Sequence, residues 1–385
     1  MSWRLSWLPF AGLLVILPYP GTVAARLLLL LLTFICSLIW YFRASPSAWA
    51  PLPCKPAFAF WWLVGLISLT YAADPGYSFG ELKNEFGYTL LALFAFFLIG
   101  QRCATATFAL RAAALGMGIL CGWATLTWLG EGYAWNRLGR HGDAGVVSTY
   151  VVTVLPVLLC IAVGDPLVHW RRAAGVIAVL ALFIAAITEQ RAAWIAIALE
   201  LAIAAALLAR GGRIRLSHAQ VVVTMAVLLS LGVIAILSYS FLRHGNAEAL
   251  PRDARMDFWP SVLAVISAHP FAGAGFGRQS MKMAYPDLIP GYNRELWHAH
   301  NFVLNYGLSM GLPGIAALLA LFAAWGRFFW RHAAQPAGIA GCMLLAGVFL
   351  RNQFNDFFQR DMSLLFWALC GLFAGMLLAR AEVSR

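Results

Sequence analysis

Charge is what this sequence has least of. Only 11% of its 385 residues are charged, against 62% hydrophobic, and the mean hydropathy is +0.78. That balance excludes an ordinary water-soluble domain. Acidic residues are the scarcest, 16 against 27 Lys and Arg, which gives a net charge of +11. Polar–apolar alternation is also missing. Runs such as Leu27–Trp40 and Val221–Leu237 do not alternate, whereas the strands of a membrane barrel alternate over roughly ten residues. The seven cysteines form no CxxC pair and no Cys/His spacing, so neither a disulfide framework nor a zinc site is expected. No convincing internal repeat is present, which counts against a transporter assembled from repeats. The first apolar segment has no small-residue cleavage site and runs straight into the next, so a cleaved signal peptide is not expected.

What is present is a series of apolar runs, each long enough to cross a bilayer as a helix of about 20 residues. Backbone groups in lipid must be satisfied internally, and without alternating strands this means helices. About twelve spans are expected by the same length criterion. They lie near 5–19, 22–42, 57–73, 87–101, 104–129, 145–164, 172–188, 192–209, 219–242, 301–326, 336–354 and 362–380. The fold class is therefore an all-α polytopic membrane protein, with 1–385 as one membrane domain. With the N-terminus inside, the short inner segments hold Arg4, Arg43, Lys55, Arg102, Arg171, Arg172, Arg210, Arg213, Arg215, Arg327, Arg331, Arg380 and Arg385, with Asp165 and Glu382 as their only acids. About half of the outer basic residues sit in one long loop, which counts little in the positive-inside rule. Both termini are thus expected in the cytoplasm. Topology and anionic lipid account for the inner basic residues, and no nucleic acid is needed.

The polar residues gather on the opposite, outer side. The longest outer loop runs from Arg243 to His300 and ends in Trp297-His298-Ala299-His300-Asn301, at the mouth of the next span. Within it Asp257 is expected to cap a helix whose first turn accepts Pro260, with Trp259, Val262, Leu263 and Ile266 on one face and His269-Pro270 as its end. Gly273, Gly275 and Gly277 follow as a flexible turn. They have no preceding strand, so a dinucleotide fold is not implied.

Several residues could carry chemistry. Arg191, in the short Thr188–Arg191 connection, is either an interfacial arginine reaching for headgroups or an anion clamp, since guanidinium pairs bidentately with phosphate oxygens. Arg255 stands one turn before Trp259, and by itself reads as a solvated charge paired with Asp253 or Asp257. His300 could take a proton from a sugar hydroxyl as a neutral imidazole, and His298, at i−2, could assist or pack beside it. Two histidines leave a metal conceivable, but no third ligand is obvious nearby. Arg243, Arg252, Arg278, Lys282 and Arg294 share the loop, where solubility and headgroup contact are their ordinary roles. Arg111 and Glu200 map near mid-membrane, where ionisable groups are costly, and are expected to face each other or other polar groups in the bundle interior.

Arg191 in TEQRAAW, the stretch from Arg255 through HPFAGAGFG to Gly277, and HAHNFVLNYGLSMGLPG from His298 to Gly314 together resemble the O-antigen ligase and polymerase superfamily. Arg351-Asn352-Gln353-Phe354-Asn355-Asp356 resembles the polar turn before the last span of that family. The chain departs from the usual Ser and Gly around the first arginine, carrying Gln190 and Ala192. The resemblance implies a GT-C type glycosyltransferase of the bacterial inner membrane, with no cofactor and no metal ion and a periplasmic active site. Its donor would be a glycan on undecaprenyl diphosphate and its acceptor a sugar of the lipid A-core, joined with inversion. Carried over by motif, Arg191 and Arg255 would bind the diphosphate and His300 would be the base. His298, Asn301, Gln190, Trp259 and Arg278 would line the substrate.

Three alternatives stay open. A polymerase or a protein O-oligosaccharyltransferase of the same superfamily would use the same donor with another acceptor. A twelve-span transporter would put its polar residues at the midplane, where this chain has little beyond Arg111 and Glu200.

Overall fold

The computed structural model describes residues 7–19, 21–44, 49–130, 144–211, 254–289, 296–356, 358 and 360–379. Among them the regular elements are all helical. In chain order the α-helices are α1 (Leu8–Ile16), α2 (Val23–Arg43), α3 (Lys55–Ile67), α4 (Pro75–Leu82), α5 (Tyr88–Gly100), α6 (Cys103–Gly130), α7 (Ala144–Gly164), α8 (Val168–Ile187), α9 (Arg191–Arg210), α10 (Ala254–Ala268), α11 (Arg278–Ala284), α12 (Phe302–Arg331), α13 (Pro336–Arg351) and α14 (Arg360–Leu378). A π turn, Lys83–Gly87, joins α4 to α5. Eight segments are long and apolar enough to cross a membrane: α2, the continuous α4–α5 rod, α6, α7, α8, α9, α12 and α14. The protein is an integral membrane protein.

Four of the twelve expected spans fall outside that set. The first is only the nine-residue α1, whose Phe10, Leu13 and Leu14 are buried against α2 and α6, so it packs as a short core helix. The third and eleventh are the shorter apolar helices Lys55–Thr70 and Pro336–Arg351. The ninth, 219–242, lies outside the described residues, as do Asp143, Arg243, Arg252, Asp253 and Arg294.

Burial orders the bundle from inside to outside. The apolar stretches of α14 and α7 are 83% and 78% buried, those of α2 and α8 only 22%. On α2 the large side chains Leu28, Leu31, Leu32, Ile35 and Ile39 face outward, while Arg26, Thr33 and Ser37 face in. This inverts a soluble helix, as lipid solvation requires. At the centre α14 packs along α5. Gly371 and Gly375 form a small-xxx-small stripe, and a Cβ at either would run into the backbone carbonyl of Leu93 or Phe97. Small residues let helix backbones approach closely where no hydrophobic drive pulls them together.

The bundle has two polar ends. At one, Gln101 accepts from the Ala50 amide at 2.6 Å, and Arg111 holds Asp165 bidentately at 2.9 and 2.7 Å. Burial opposes ionisation of Asp165, but the Arg111 guanidinium and the Leu167 amide prevail and hold its carboxyl below the ordinary range. Of the two expectations for Arg111, it faces another polar group and not Glu200. α6 packs on α1 and α8, whereas α9 packs mainly on α13, and Arg111 reaches back to the helix end instead. Glu200 is fully buried against Gly347, and neither of its carboxylate oxygens has a hydrogen-bond partner among the described residues. The other end gathers the residues that the sequence singles out.

Candidate functional site

The site is built on a break in α12. Gly311 has φ 68 and ψ −164, and Pro313 has no N–H, so the carbonyls of Leu308 and Ser309 lose their helical donors. The amides of Ala274 and Gly275 replace them at 2.8 and 3.0 Å, while the Leu312 amide turns to Pro270 O at 2.8 Å. Gly273, Gly275 and Gly277 are therefore not a flexible turn. They lay the loop backbone against the broken helix, where a Cβ at Gly273 would meet the Leu308 carbonyl, and Gly275 and Gly277 take φ 91 and 113. The Ala73 amide donates to Ala274 O at 2.9 Å, fixing the other side of the loop to the start of the α4–α5 rod.

The helix before this loop also differs from expectation. α10 begins by Ala254, ahead of Asp257, and Pro260 lies inside it. Its buried face is Phe258, Val262 and Ile266, which pack with Met281, Leu296, Ala299 and Leu308, while Leu263 is exposed. Val262 and Ile266 are buried as expected, Trp259 is half-buried, and Phe258 takes the place expected for Leu263. The helix ends before His269-Pro270, as the proline dictates.

From this platform the chain enters α12 through the two histidines. Asn301 is the N-cap: its Oδ1 accepts from the Leu304 amide at 3.0 Å, and its Nδ2 donates to Gln353 O at 3.0 Å. His298 and His300 stack with ring centroids 3.8 Å apart. His298 is 4% exposed, and its Nδ1 accepts from the His300 amide at 3.1 Å. That bond puts its proton on Nε2, and burial, aided by the nearby His300, Arg278 and Arg255, pushes its pKa down to about 2. His298 is thus a neutral prop. His300 is half-buried with φ 50, and its Nδ1 lies 3.0 Å from Asn355 Oδ1. With Nδ1–H donating to that oxygen, the basic lone pair of His300 is on Nε2.

The 351–356 turn holds the pieces together. Gln353 O receives Asn301, Phe354 O receives the Arg255 guanidinium, Asn355 faces His300, and Asn352 O accepts from the Phe302 amide at 2.9 Å. Asp356 accepts from Asn305 Nδ2 at 2.5 Å and pairs with Arg278 at 3.0 Å, an off-axis contact that is electrostatic in character. Glu85, buried on the π turn, shares the fields of Arg278 and Asp356. Trp259 Nε1 donates to Ala299 O at 2.9 Å, which ties α10 to the histidine turn. At the start of the turn the buried Arg351 donates to Gly145 O at 3.2 Å, and more weakly to Ser148 Oγ and Gln190 Oε1.

The expected residues thus fall into two groups. His300, His298, Asn301, Arg255 and Trp259 belong to one hydrogen-bonded assembly, which Arg278 joins through its ion pair with Asp356. Among the described residues Gln190 joins it through Arg351. Arg191, half-buried at the first position of α9, makes no hydrogen bond or ion pair among the described residues. No polar contact joins Arg191 directly to Arg255 or His300 among them. Sequence reasoning missed Asn305, Arg351, Asn355, Asp356 and Glu85 as site residues. Asn305 carried a signal: it stands one helical turn after Asn301 in an otherwise apolar run.

Residues 176–319 match the O-antigen ligase family. The matched stretch begins in α8, takes in Arg191, Arg255, the three glycines and both histidines, and ends within α12. It indicates a function within the O-antigen ligase and polymerase superfamily. The 351–356 turn, which closes the assembly, lies beyond the stretch matched to the O-antigen ligases. No curated protein sequence matches the chain.

Proposed function

We propose that the protein is a GT-C type glycosyltransferase that moves an O-antigen glycan from undecaprenyl diphosphate to a lipid A-core sugar, at the periplasmic face of the inner membrane. Diphosphate is already a good leaving group, so the reaction needs no strong acid. It needs positive charge where the glycosidic bond breaks and a base for the acceptor hydroxyl. His300 Nε2 would take the hydroxyl proton as the acceptor oxygen attacks the anomeric carbon. The leaving diphosphate departs from the opposite face, which inverts the configuration. Arg255 and Arg191 would hold the diphosphate oxygens. His298, Asn301, Gln190, Trp259 and Arg278 would shape the surrounding pocket.

The observation that carries this reading is the His300–Asn355 contact on the same turn that receives Arg255. A base with a fixed tautomer stands next to a guanidinium, at the end of the bundle where Arg191 also lies. A polymerase or protein O-oligosaccharyltransferase would use the same machinery with a different acceptor. Deleting the gene and resolving the cell's lipopolysaccharide on a gel separates these. Loss of long chains with accumulation of carrier-linked polymer fits the ligase, and a core bearing one repeat unit fits the polymerase. Unchanged lipopolysaccharide would remove both.

A further inference from the structure

A cavity of about 410 Å³ opens at the same end of the bundle, between the starts of α2, α5, α7 and α14. Most of its wall is apolar, with Val23, Leu27, Val146 and Leu364 among the lining residues, but two guanidiniums, Arg26 and Arg360, face it with a single carboxylate, Asp361. Arg26 is built into the fold. It is 8% exposed, bonds Thr22 Oγ1 at 2.7 Å and Tyr19 O at 2.9 Å, and lies 3.5 Å from Asp361. Asp361 also accepts from the buried Tyr150 hydroxyl at 2.6 Å. Arg360 is exposed, has φ 45 and makes no hydrogen bond or ion pair among the described residues. Among the described lining residues two guanidiniums thus face one carboxylate, and Arg360, at the rim, makes no direct polar contact while lying in the field of the buried Glu85.

Where the cavity opens narrows the ligand further. Val23 and Leu28, at the start of α2, are 60% and 56% exposed, and they begin the outward-facing stripe of a helix in contact with lipid. A ligand that fills the cavity meets apolar wall, then two arginines, with hydrocarbon beside it. We infer that this cavity binds the phosphate group of a membrane lipid, with Arg360 and Arg26 on the phosphate oxygens and the hydrocarbon chain leaving along α2. The inference does not depend on glycosyl transfer. The cavity is distinct from the histidine assembly in its lining: none of His298, His300, Asn301, Arg255, Arg278 or Asp356 lines it.

The test uses the purified full-length protein in a neutral detergent, with dodecyl phosphate as the probe and native mass spectrometry or calorimetry as the readout. Wild type should retain dodecyl phosphate in preference to inorganic phosphate and to an uncharged dodecyl glycoside. Arg360→Glu should weaken retention by roughly tenfold or more, as expected for loss of a charge-assisted contact. Arg360→Lys should retain part of the affinity, and Leu27→Trp, which fills the apolar wall, should reduce it without altering charge. His300→Ala should bind as wild type does, so failure of the catalytic reading leaves this result untouched. Competition by phosphatidylglycerol, by a polyprenyl diphosphate or by lipid A would each support the site and identify its source. Equal retention by Arg360→Glu, or no competition by any of the three lipids, would overturn it.

Discussion

Replacing Asp356 with Ala should destabilise the protein by about 3 kcal/mol. The carboxylate is 5% exposed and carries three loads: the Arg278 guanidinium at 3.0 Å, Asn305 Nδ2 at 2.5 Å and the Phe358 amide at 3.1 Å. Removing one partner of a buried ion pair costs about 3–5 kcal/mol, because the other charge is left uncompensated. Each orphaned buried donor adds about 1–3 kcal/mol where nothing replaces the acceptor. Glu85 is a second buried carboxyl within the field of Arg278, and losing the neighbouring Asp356 charge eases its ionisation toward that cation, which favours the low end of the sum. Asp356→Asn keeps an acceptor for Asn305 but removes the charge, so it should fall between wild type and Ala. Arg278→Met should rescue part of the loss in Asp356→Ala, because the stranded cation is then gone. Unfolding of the purified protein in mixed detergent measures all four species as a double-mutant cycle. An Asp356→Ala variant within about 1 kcal/mol of wild type, well under the buried-pair range, or strictly additive Asp356 and Arg278 effects, would refute the keystone role given to the 351–356 turn.

Other outcomes test the rest of the site. Folded His298 titrates near pH 2 against 6.5 for the free group, so between those values the unfolded chain binds a proton that the folded chain refuses. Stability is therefore complete above pH 6.5 and falls as the pH drops, by about 1.4 kcal/mol per unit. From pH 7 to 5 the loss due to this residue is about 2 kcal/mol. His298→Gln should flatten that slope, and an unchanged slope would show that the ring protonates in place. His300→Ala should abolish transfer in a purified assay while leaving the protein folded, and Asn355→Ala should lower turnover by about 10²-fold through loss of tautomer control; wild-type rates in the first would remove His300 as the base. Arg191→Lys should be nearly as damaging as Arg191→Ala, since lysine has no bidentate fork; full activity in the lysine variant would contradict the clamp. Transfer should survive a chelator, and loss restored by one divalent ion would argue for a metal-dependent reaction.

Much of the fold was legible because lipid makes a one-dimensional demand. A span must be apolar over its full length, and α2, α5 to α9, α12 and α14 could be read from run length alone. Length also marks the limit. α1 reads as a span because its residues are hydrophobic, but those side chains are buried in protein, and hydropathy cannot tell lipid from core. Whether Arg111 faces Glu200 or another polar group stays open in the sequence for a related reason. Both Glu200 and Asp165 were available in the sequence, and the choice depends on which helices are neighbours. That information exists only after packing.

The site divides along the same line. Its anchors are local and therefore readable: an Asn that caps α12, a proline that breaks it, and glycines whose backbone must lie close to another chain segment. The supporting contacts are not local. His300 meets Asn355 across 55 positions, Asn305 meets Asp356 across 51 and Arg351 meets Gln190 across 161. A polar side chain in an apolar chain is costly unless satisfied, so each such residue implies a partner without naming it. The 351–356 turn illustrates the point. Its six residues read as a polar turn before the last span, yet each of them bonds to a distant element: Arg351 donates, and the others receive or face a partner. The density of hydrogen-bonding groups in so short a stretch was the available clue. In a membrane protein, an outer connection rich in Asn, Gln and Asp and too short to form a domain has little surface of its own to solvate. Its polar groups are then best explained as sockets for other parts of the chain, and the residues that plug into them are where the chemistry should be sought.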